Sequence, residues 1–258
     1  QALALPGESE VARELGSDVN PDAVYAARKA LRIAVGTALA ADFARVYEST
    51  ASAGAFSPDA GSAGLRALRN LALDYLAVTG APEGIARAKA QFEAADNMTD
   101  RSSALAVLAQ HDVPEREEAL DAFYRRFESD ALVIDKWFVL QAQIPSEGTL
   151  DRVKGLMLHP AFSLSNPNRV RSLIGAFAAA NPTQFNRADG AGHAFVADTV
   201  LSLDGKNPQV AARLLASFKT FRQLEPVRRA SAEAALRRVA QTPGLSADVA
   251  DIATRSLG

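Results

Sequence analysis

The spacing of the apolar residues restricts the fold most, because it follows a helical period along nearly the whole chain. Apolar side chains three, four or seven positions apart share one face of an α-helix, whereas a half-buried strand alternates apolar and polar residues. Residues 21–50 show the helical spacing at Val24, Leu31, Val35, Leu39, Phe43 and Val46. Similar stripes recur up to residue 252, and no segment alternates cleanly enough to predict a strand. The 53 alanines among 258 residues also favour helix.

Helix starts are marked by proline or by a capping residue. Proline is favoured in the first turn, and a preceding Asn, Ser or Asp can accept hydrogen bonds from the free amides. This pattern predicts starts at Asn20-Pro21, Ser57-Pro58, Asn166-Pro167, Asn181-Pro182 and Asn207-Pro208, and proline-free starts at Thr99-Asp100 and Ser246-Ala247. Residues 51–64, rich in Ala, Ser and Gly, are predicted to form a flexible loop.

About a dozen helices of roughly 10–20 residues with short connections are predicted. So many short helices bury their apolar stripes most readily as stacked antiparallel pairs. We therefore predict an all-α, superhelical stack of the HEAT or armadillo type, although no repeat of fixed period is visible. Nothing marks an internal boundary, so residues 1–258 are predicted to form one domain, with residues 1–18 as an N-terminal linker.

Composition excludes several classes of function. A formal net charge of −2 gives no electrostatic basis for binding nucleic acid or an anionic membrane surface. No run approaches the roughly 18 apolar residues of a membrane span. The chain has no cysteine, and His111, His159 and His193 are too far apart in sequence to predict a metal site. The absence of targeting signals and of cysteine leads us to expect a cytoplasmic protein.

No catalytic motif is present. A nucleophile elbow, a phosphate-binding loop and a dinucleotide fingerprint are all missing, and the glycines at Asp189-Gly190-Ala191-Gly192 fit an interhelical turn better than a ligand loop. The chain begins at Gln1 rather than Met, which leads us to expect a piece of a longer protein. We expect the chain alone to be inactive.

Arginines near helix starts are the most unusual polar feature. A helix N-terminus carries about half a positive charge, so arginine is mildly disfavoured there and anions are favoured. Yet Arg169 and Arg171 follow Asn166-Pro167 directly, and Arg213 lies one turn after Gln209 in the segment opened by Asn207-Pro208. Amide and guanidinium donors on a shared face could bind a carboxylate or a peptide backbone. Solvated arginines, or arginines paired with a neighbouring helix, would explain the same spacing.

Two further segments combine unusual residues. Asp135-Lys136-Trp137-Phe138 holds the sole tryptophan beside a charge pair, and Asn97-Met98-Thr99-Asp100 resembles a helix cap. A core aromatic and a cap are the simpler interpretations of these two segments.

Together these segments resemble the C-terminal helical domain of the bacterial aminopeptidase N family, the zinc-dependent gluzincin exopeptidases. The matching stretches occur in the family's order: residues 97–100, 132–138, 166–175 (NPNRVRSLIG), 185–195 and 207–213 (NPQVAAR).

The resemblance implies a parent enzyme that removes N-terminal amino acids with a zinc ion held by a catalytic domain outside this chain. The helical domain would close over that catalytic domain and restrict access to short peptides. Arg171, Gln209 and Arg213 match positions that the family directs toward the enclosed cavity, with Arg169 and Asn168 as supporting residues. The expected partners are the chain's own catalytic domain and short peptides, with no cofactor bound here.

Two other functions remain open. A free-standing α-solenoid scaffold for a protein partner would have a large exposed apolar patch. An isolated peptidase would bind zinc and hydrolyse peptides by itself.

Overall fold

The computed structural model describes residues 5–51, 54 and 56–258, and about 75% of the chain is helical. The all-α prediction is therefore confirmed. In chain order the α-helices are α1 (Glu8–Leu15), α2 (Pro21–Ala38), α3 (Ala40–Ser49), α4 (Ala60–Ala77), α5 (Pro82–Ala94), α6 (Met98–Ala109), α7 (Pro114–Phe127), α8 (Ala131–Ala142), α9 (Thr149–Leu156), α10 (Pro167–Val170), α11 (Ala176–Ala180), α12 (Pro182–Phe185), α13 (Ala191–Asp204), α14 (Pro208–Leu215), α15 (Pro226–Ala240) and α16 (Ala247–Leu257).

Apart from these α-helices, the described residues form few regular backbone structures. A π-helical turn (Arg171–Gly175) joins α10 to α11, and a 3₁₀ segment (Ala216–Gln223) follows α14. Val19 and Leu224 form an isolated parallel bridge, in which the Val19 amide donates to the Gln223 carbonyl at 2.8 Å.

The helices group into two compact units, one of residues 27–127 and one of residues 1–26 with 128–258. In the first unit α3 packs on α4, α5 on α6, and α4 on α6. In the second unit α13 packs on α14 and α15, and α16 packs on α14 and α15. Contacts to the next helix and to the one after it are typical of stacked helical pairs. The single domain predicted for residues 1–258 stays a prediction.

Each unit has its own apolar core, built from the predicted stripes. Fully buried side chains in the 27–127 unit include Leu73, Leu105, Leu108, Leu120 and Phe123. In the other unit they include Ile134, Phe138, Leu173, Phe177 and Phe218. Some stripe residues remain outside these cores, because Leu31, Leu65 and Leu68 are about half exposed.

Most of the predicted helix starts are confirmed. Asn166, Asn181 and Asn207 each accept backbone amides in the first turn of a helix that begins with proline, and Asn20 and Ser246 cap α2 and α16 in the same way.

Two predicted starts were wrong by two residues. The cap of α4 is Asp59 rather than Ser57, since its carboxylate accepts the Ser62 amide at 3.0 Å. The cap of α6 is Asn97 rather than Thr99, and its side chain accepts the Asp100 amide at 2.9 Å.

Two predicted irregular segments are partly helical. Residues 60–64 of the predicted 51–64 loop belong to α4. Of the remaining loop residues, 52, 53 and 55 lie outside the described residues. Within the predicted linker of residues 1–18, Glu8–Leu15 form α1, and residues 1–4 lie outside the described residues.

Candidate functional site

A cavity of about 700 Å³ lies between the α10 to α11 region and α14. Its polar lining residues are Arg171, Asn207, Gln209, Arg213 and Ser217. The rest of the lining is apolar: Pro167, Val170, Gly175, Ala176, Ala178, Ala179, Val210, Leu214 and Ala216. The volume lies within the range of small-molecule sites, which is roughly 300–1,000 Å³. The structure therefore brings together Arg171, Gln209 and Arg213, three of the residues predicted from the sequence.

Local sequence fixes the first wall of the cavity. The Asn166 side chain accepts the amides of Asn168 and Arg169, and Pro167 occupies the first helical position. Arg171 begins the π-helical turn that ends at Gly175. π-Helical turns are rare and occur often at functional sites.

The second wall is α14. Asn207 caps this helix by accepting the Val210 amide at 3.2 Å, and Pro208 follows it. Gln209 and Arg213 are four residues apart, so they share one helix face as predicted. The structure corrects one part of the sequence argument. Because α14 ends at Leu215, Arg213 lies in its last turn, where the helix dipole favours a cation.

The cavity is electropositive. Its lining contains two arginines and no aspartate or glutamate. Arg171 and Arg213 are exposed, and in the described part of the chain neither of them forms an ion pair. Two uncompensated guanidinium groups, an exposed Gln209 and an apolar floor suit a ligand that carries both a carboxylate and apolar groups.

Asn168 acts beside the cavity rather than in its lining. Its Oδ1 accepts a hydrogen bond from Arg171 Nη2 at 2.9 Å, and both side chains are exposed. This contact restricts the Arg171 side chain, so Asn168 is a positioning residue for that guanidinium group.

Arg169, predicted as a supporting residue, does not line the cavity, and its supporting role stays a prediction. The residue is 7% exposed. Its guanidinium group donates to the carbonyls of Ala161 and Ala131, each at 2.9 Å, and forms an ion pair with Asp135. Successive helical residues are about 100° apart, so Arg169 and Arg171 lie on nearly opposite sides of the helix. We therefore assign Arg169 a structural role.

Sequence reasoning missed part of the site. Ser217 lies four residues after Arg213, a helical spacing that could have indicated it. The π-helical turn had no local signal, because the apolar period of residues 170–177 fits an ordinary α-helix. Ala178 and Ala179 also line the cavity, and an alanine side chain carries no polar group that could have indicated a site.

The simpler interpretations of the other unusual segments are confirmed. Trp137 is a core aromatic at 5% exposure and packs edge-on against Phe138 at 5.1 Å between ring centroids. Asn97 is a helix cap, as described above. Gly190 closes an interhelical turn with φ +74°, a conformation that favours glycine.

His193 is buried between helices and fully hydrogen-bonded. Its Nδ1 lies 3.1 Å from Ser231 Oγ, and its Nε2 lies 3.1 Å from Asn186 Oδ1. An amide oxygen can only accept, so Nε2 carries the proton and Nδ1 accepts from the Ser231 hydroxyl. Burial, with a smaller contribution from the Arg228 charge, lowers the pKa of His193 to about 4.

We expect this histidine to make the fold less stable in mild acid. The pKa is about 4 when folded and about 6.5 when unfolded, so the unfolded chain binds the proton first as the pH falls. His193 therefore contributes stability that is complete above pH 6.5 and is lost progressively down to about pH 4, by roughly 3 kcal/mol. Urea unfolding at pH 7 and pH 4.5 measures the loss. The loss should be clearly smaller in His193→Gln, and an equal loss in that variant would contradict the assignment.

Among the described residues, no group of three or more His, Cys, Asp or Glu side chains could hold a metal ion. Nor does the described part of the chain contain a helix that is long and apolar enough to cross a membrane.

The fold and the cavity define a protein built from stacked helical repeats that carries an electropositive, partly apolar cavity. A protein-family model described as "Domain of unknown function (DUF3458_C) ARM repeats" matches residues 1–258. The chain belongs to this family. The ARM repeats confirm the predicted armadillo-type superhelical stack.

Several relatives of this chain are aminopeptidases. Aminopeptidase N of Caulobacter vibrioides is 39% identical over 257 residues, which cover 99% of this chain and 30% of that protein. Aminopeptidase N of Escherichia coli is 34% identical and is matched over 100% of this chain and 29% of its own length. A crystal structure of Legionella pneumophila aminopeptidase A in complex with aspartic acid has a TM-score of 0.89 and 30% identity, covering 98% of this chain and 30% of that one.

The chain matches only one part of each of these relatives. It spans about 30% of the length of the curated aminopeptidases N that it matches, in their C-terminal domain. The resemblance stated from the sequence motifs is confirmed.

Proposed function

We propose that this chain is the non-catalytic C-terminal domain of a zinc aminopeptidase that removes N-terminal amino acids from short peptides. Within that enzyme, the domain covers the catalytic domain, excludes folded proteins, and binds the C-terminal side of the peptide. The cavity lined by Arg171, Gln209 and Arg213 is the observation that carries the binding part of the proposal. The matches to aminopeptidases over 28–30% of their length support the rest.

The chemistry of the cavity fits a peptide terminus. A carboxylate is planar and accepts two parallel hydrogen bonds from a guanidinium group, and Gln209 can donate to a peptide carbonyl. The apolar floor, including Val170, Val210 and Leu214, offers contact to apolar side chains of the peptide.

The zinc ion of the proposed enzyme is assigned to the catalytic domain. When bound there, it supplies an activated water molecule for hydrolysis of the peptide bond. The residues of this chain act on the substrate by binding, orientation and exclusion. They do not transfer a proton or attack the peptide.

The alternative function is a free-standing scaffold for a protein partner, and exposed apolar side chains on α4 are compatible with it as well as with the proposed enzyme. Leu65 and Leu68 lie about one turn apart on α4 and are 53% and 42% exposed. In the proposed enzyme its own catalytic domain would cover such side chains, whereas a scaffold would use them for a different protein.

The proposal predicts a specific kinetic defect for Arg213→Ala in the full-length enzyme. A hydrogen bond to a charged group contributes roughly 1.5–3 kcal/mol, so kcat/KM for tripeptides and tetrapeptides should fall roughly ten- to hundredfold. Hydrolysis of single-residue chromogenic amides, which have no C-terminal carboxylate for Arg213 to bind, should be unchanged, as should the zinc content.

A matched control is Arg255→Ala. Arg255 is an exposed arginine of α16 that pairs with Asp251 and does not line the cavity. This variant should hydrolyse all substrates at the rate of the unmodified enzyme. Unchanged kinetics of Arg213→Ala on tripeptides and tetrapeptides would overturn the binding role.

A further inference from the structure

The electropositive cavity beside α14 has a further polar group in its lining, the side-chain amide of Asn207. Asn207 is half-buried and directly precedes Pro208, the first residue of α14. Its role as the cap of that helix accounts for only one atom of the amide, the oxygen. The nitrogen of the same amide needs a separate explanation.

The hydrogen bonds of Asn207 leave one of its groups unused. The backbone N–H donates to the Leu203 carbonyl at 2.7 Å, and the backbone carbonyl accepts the Ala211 amide at 3.0 Å. Side-chain Oδ1 accepts the Val210 amide at 3.2 Å. Nδ2, which carries two N–H donors, has no partner among the described residues. It is not one of the fully enclosed unpaired atoms of this part of the chain, so a ligand in the cavity can reach it.

The cap also fixes the orientation of the Asn207 amide. Exchanging the positions of Oδ1 and Nδ2 would put an N–H donor against the Val210 amide, which is itself a donor. Nδ2 is therefore held as a donor before any ligand binds. The Gln209 and Arg213 side chains form no hydrogen bond in the described part of the chain, so each of them loses more rotamer freedom on binding.

The charges of the cavity indicate which ligand group this donor would bind. Arg171 and Arg213 suit the terminal carboxylate, since a guanidinium group binds a carboxylate through two parallel hydrogen bonds. A neutral amide N–H suits a neutral acceptor, and every residue of a peptide carries one in its backbone carbonyl. The lining contains no aspartate or glutamate that would compete for the N–H groups.

We propose that Asn207 is a substrate-binding residue, whose Nδ2 donates to a backbone carbonyl near the C-terminus of the bound peptide. The inference rests on the proposed function and deepens it, because it makes the cavity a site for the peptide backbone as well as for the terminal carboxylate. A dipeptide has no backbone carbonyl other than that of the bond being cleaved. The contact therefore selects peptides of three or more residues, whatever their side chains.

Variants that keep the cap but remove the donor test the proposal in the full-length enzyme. Asp and Ser rank with Asn as helix caps, so Asn207→Asp and Asn207→Ser should leave the thermal midpoint of the 258-residue chain unchanged. Neither side chain presents an amide N–H to the cavity. In Asn207→Ser, kcat/KM for tetrapeptides should fall roughly two- to tenfold, the value of one neutral hydrogen bond. The loss should be larger in Asn207→Asp, whose carboxylate repels the carbonyl oxygen.

The length of the substrate separates a lost contact from a general defect. Dipeptides and single-residue chromogenic amides lack the second carbonyl, so Asn207→Ser should hydrolyse them at the rate of the unmodified enzyme. Asn20→Ser is the matched control, because Asn20 caps α2 by accepting the amides of Asp22 and Ala23 and does not line the cavity. This control should hydrolyse tetrapeptides normally, and a loss as large as that of Asn207→Ser would contradict the assignment.

Measuring Arg213→Ala alongside distinguishes failure of the inference from failure of the proposed function. If both Asn207 variants hydrolyse tetrapeptides normally while Arg213→Ala is impaired, Asn207 is only a cap and the inference is wrong, although the proposed peptide site stands. If Arg213→Ala is also unimpaired, the proposed peptide site is wrong as well.

Discussion

Replacing Gly192 with alanine is expected to destabilise the fold by about 3 kcal/mol or more, the upper end of the cost of overpacking. Gly192 lies in the first turn of α13, where a Cβ atom would be 2.3 Å from the Phe185 carbonyl oxygen and 2.4 Å from that of Gln184. Both obstacles are backbone atoms, so relief would require α12 and α13 to separate. Urea denaturation monitored by circular dichroism measures the loss.

Gly205 provides the matched control at the other end of the same helix. A Cβ atom there would meet nothing within 4 Å, and the backbone has φ −70°, which alanine adopts readily. Gly205→Ala should therefore leave the free energy of unfolding unchanged or slightly higher. Similar midpoints for the two variants would show that α12 and α13 do not pack as closely as described.

Replacing Asp135 with alanine is expected to cost about 3–5 kcal/mol, because it leaves the Arg169 charge buried without its partner. The side chains of Arg169 and Asp135 are 9% and 19% exposed, so water cannot easily replace the lost carboxylate. Asp135 also accepts from Ser172 Oγ at 3.0 Å, a hydrogen bond that the change removes, although Ser172 keeps the Arg169 carbonyl as an acceptor at 3.2 Å. Asp135→Asn keeps an acceptor and should lose less. Thermal and urea unfolding give both values.

The control for this change is Asp251→Ala. Asp251 pairs with Arg255 on the surface of α16, with side chains 51% and 77% exposed. An exposed pair four residues apart contributes only about 0.3–0.5 kcal/mol. If Asp135→Ala costs no more than Asp251→Ala, the buried pair does not hold α8 to the region around α10.

Local signals in the sequence were sufficient for the fold class and for most helix starts. Asn166, Asn181 and Asn207 could be assigned because capping needs only a side-chain oxygen and the next few amides. Around Ser57 and Asp59 two capping residues compete, and only the folded backbone shows that Asp59 accepts the Ser62 amide.

The site was predictable only in part. Gln209 and Arg213 share a face by spacing alone, but the approach of Arg171 to them depends on how α14 packs beside the π-helical turn. That Arg169 would point away from Arg171 follows from the sequence, because residues two apart on a helix point in nearly opposite directions. Its pairing with Asp135, 34 positions away, could not be read from the sequence.

The most direct test of the proposed peptide site compares peptides with a free C-terminal carboxylate and the same peptides ending in an amide. In the full-length enzyme we expect kcat/KM to favour the free tetrapeptide by roughly tenfold or more, the value of one charge-assisted hydrogen bond. In the double variant Arg171→Gln, Arg213→Gln that preference should disappear, because no guanidinium group remains in the cavity to bind a carboxylate more tightly than an amide. An undiminished preference in the double variant would contradict the account.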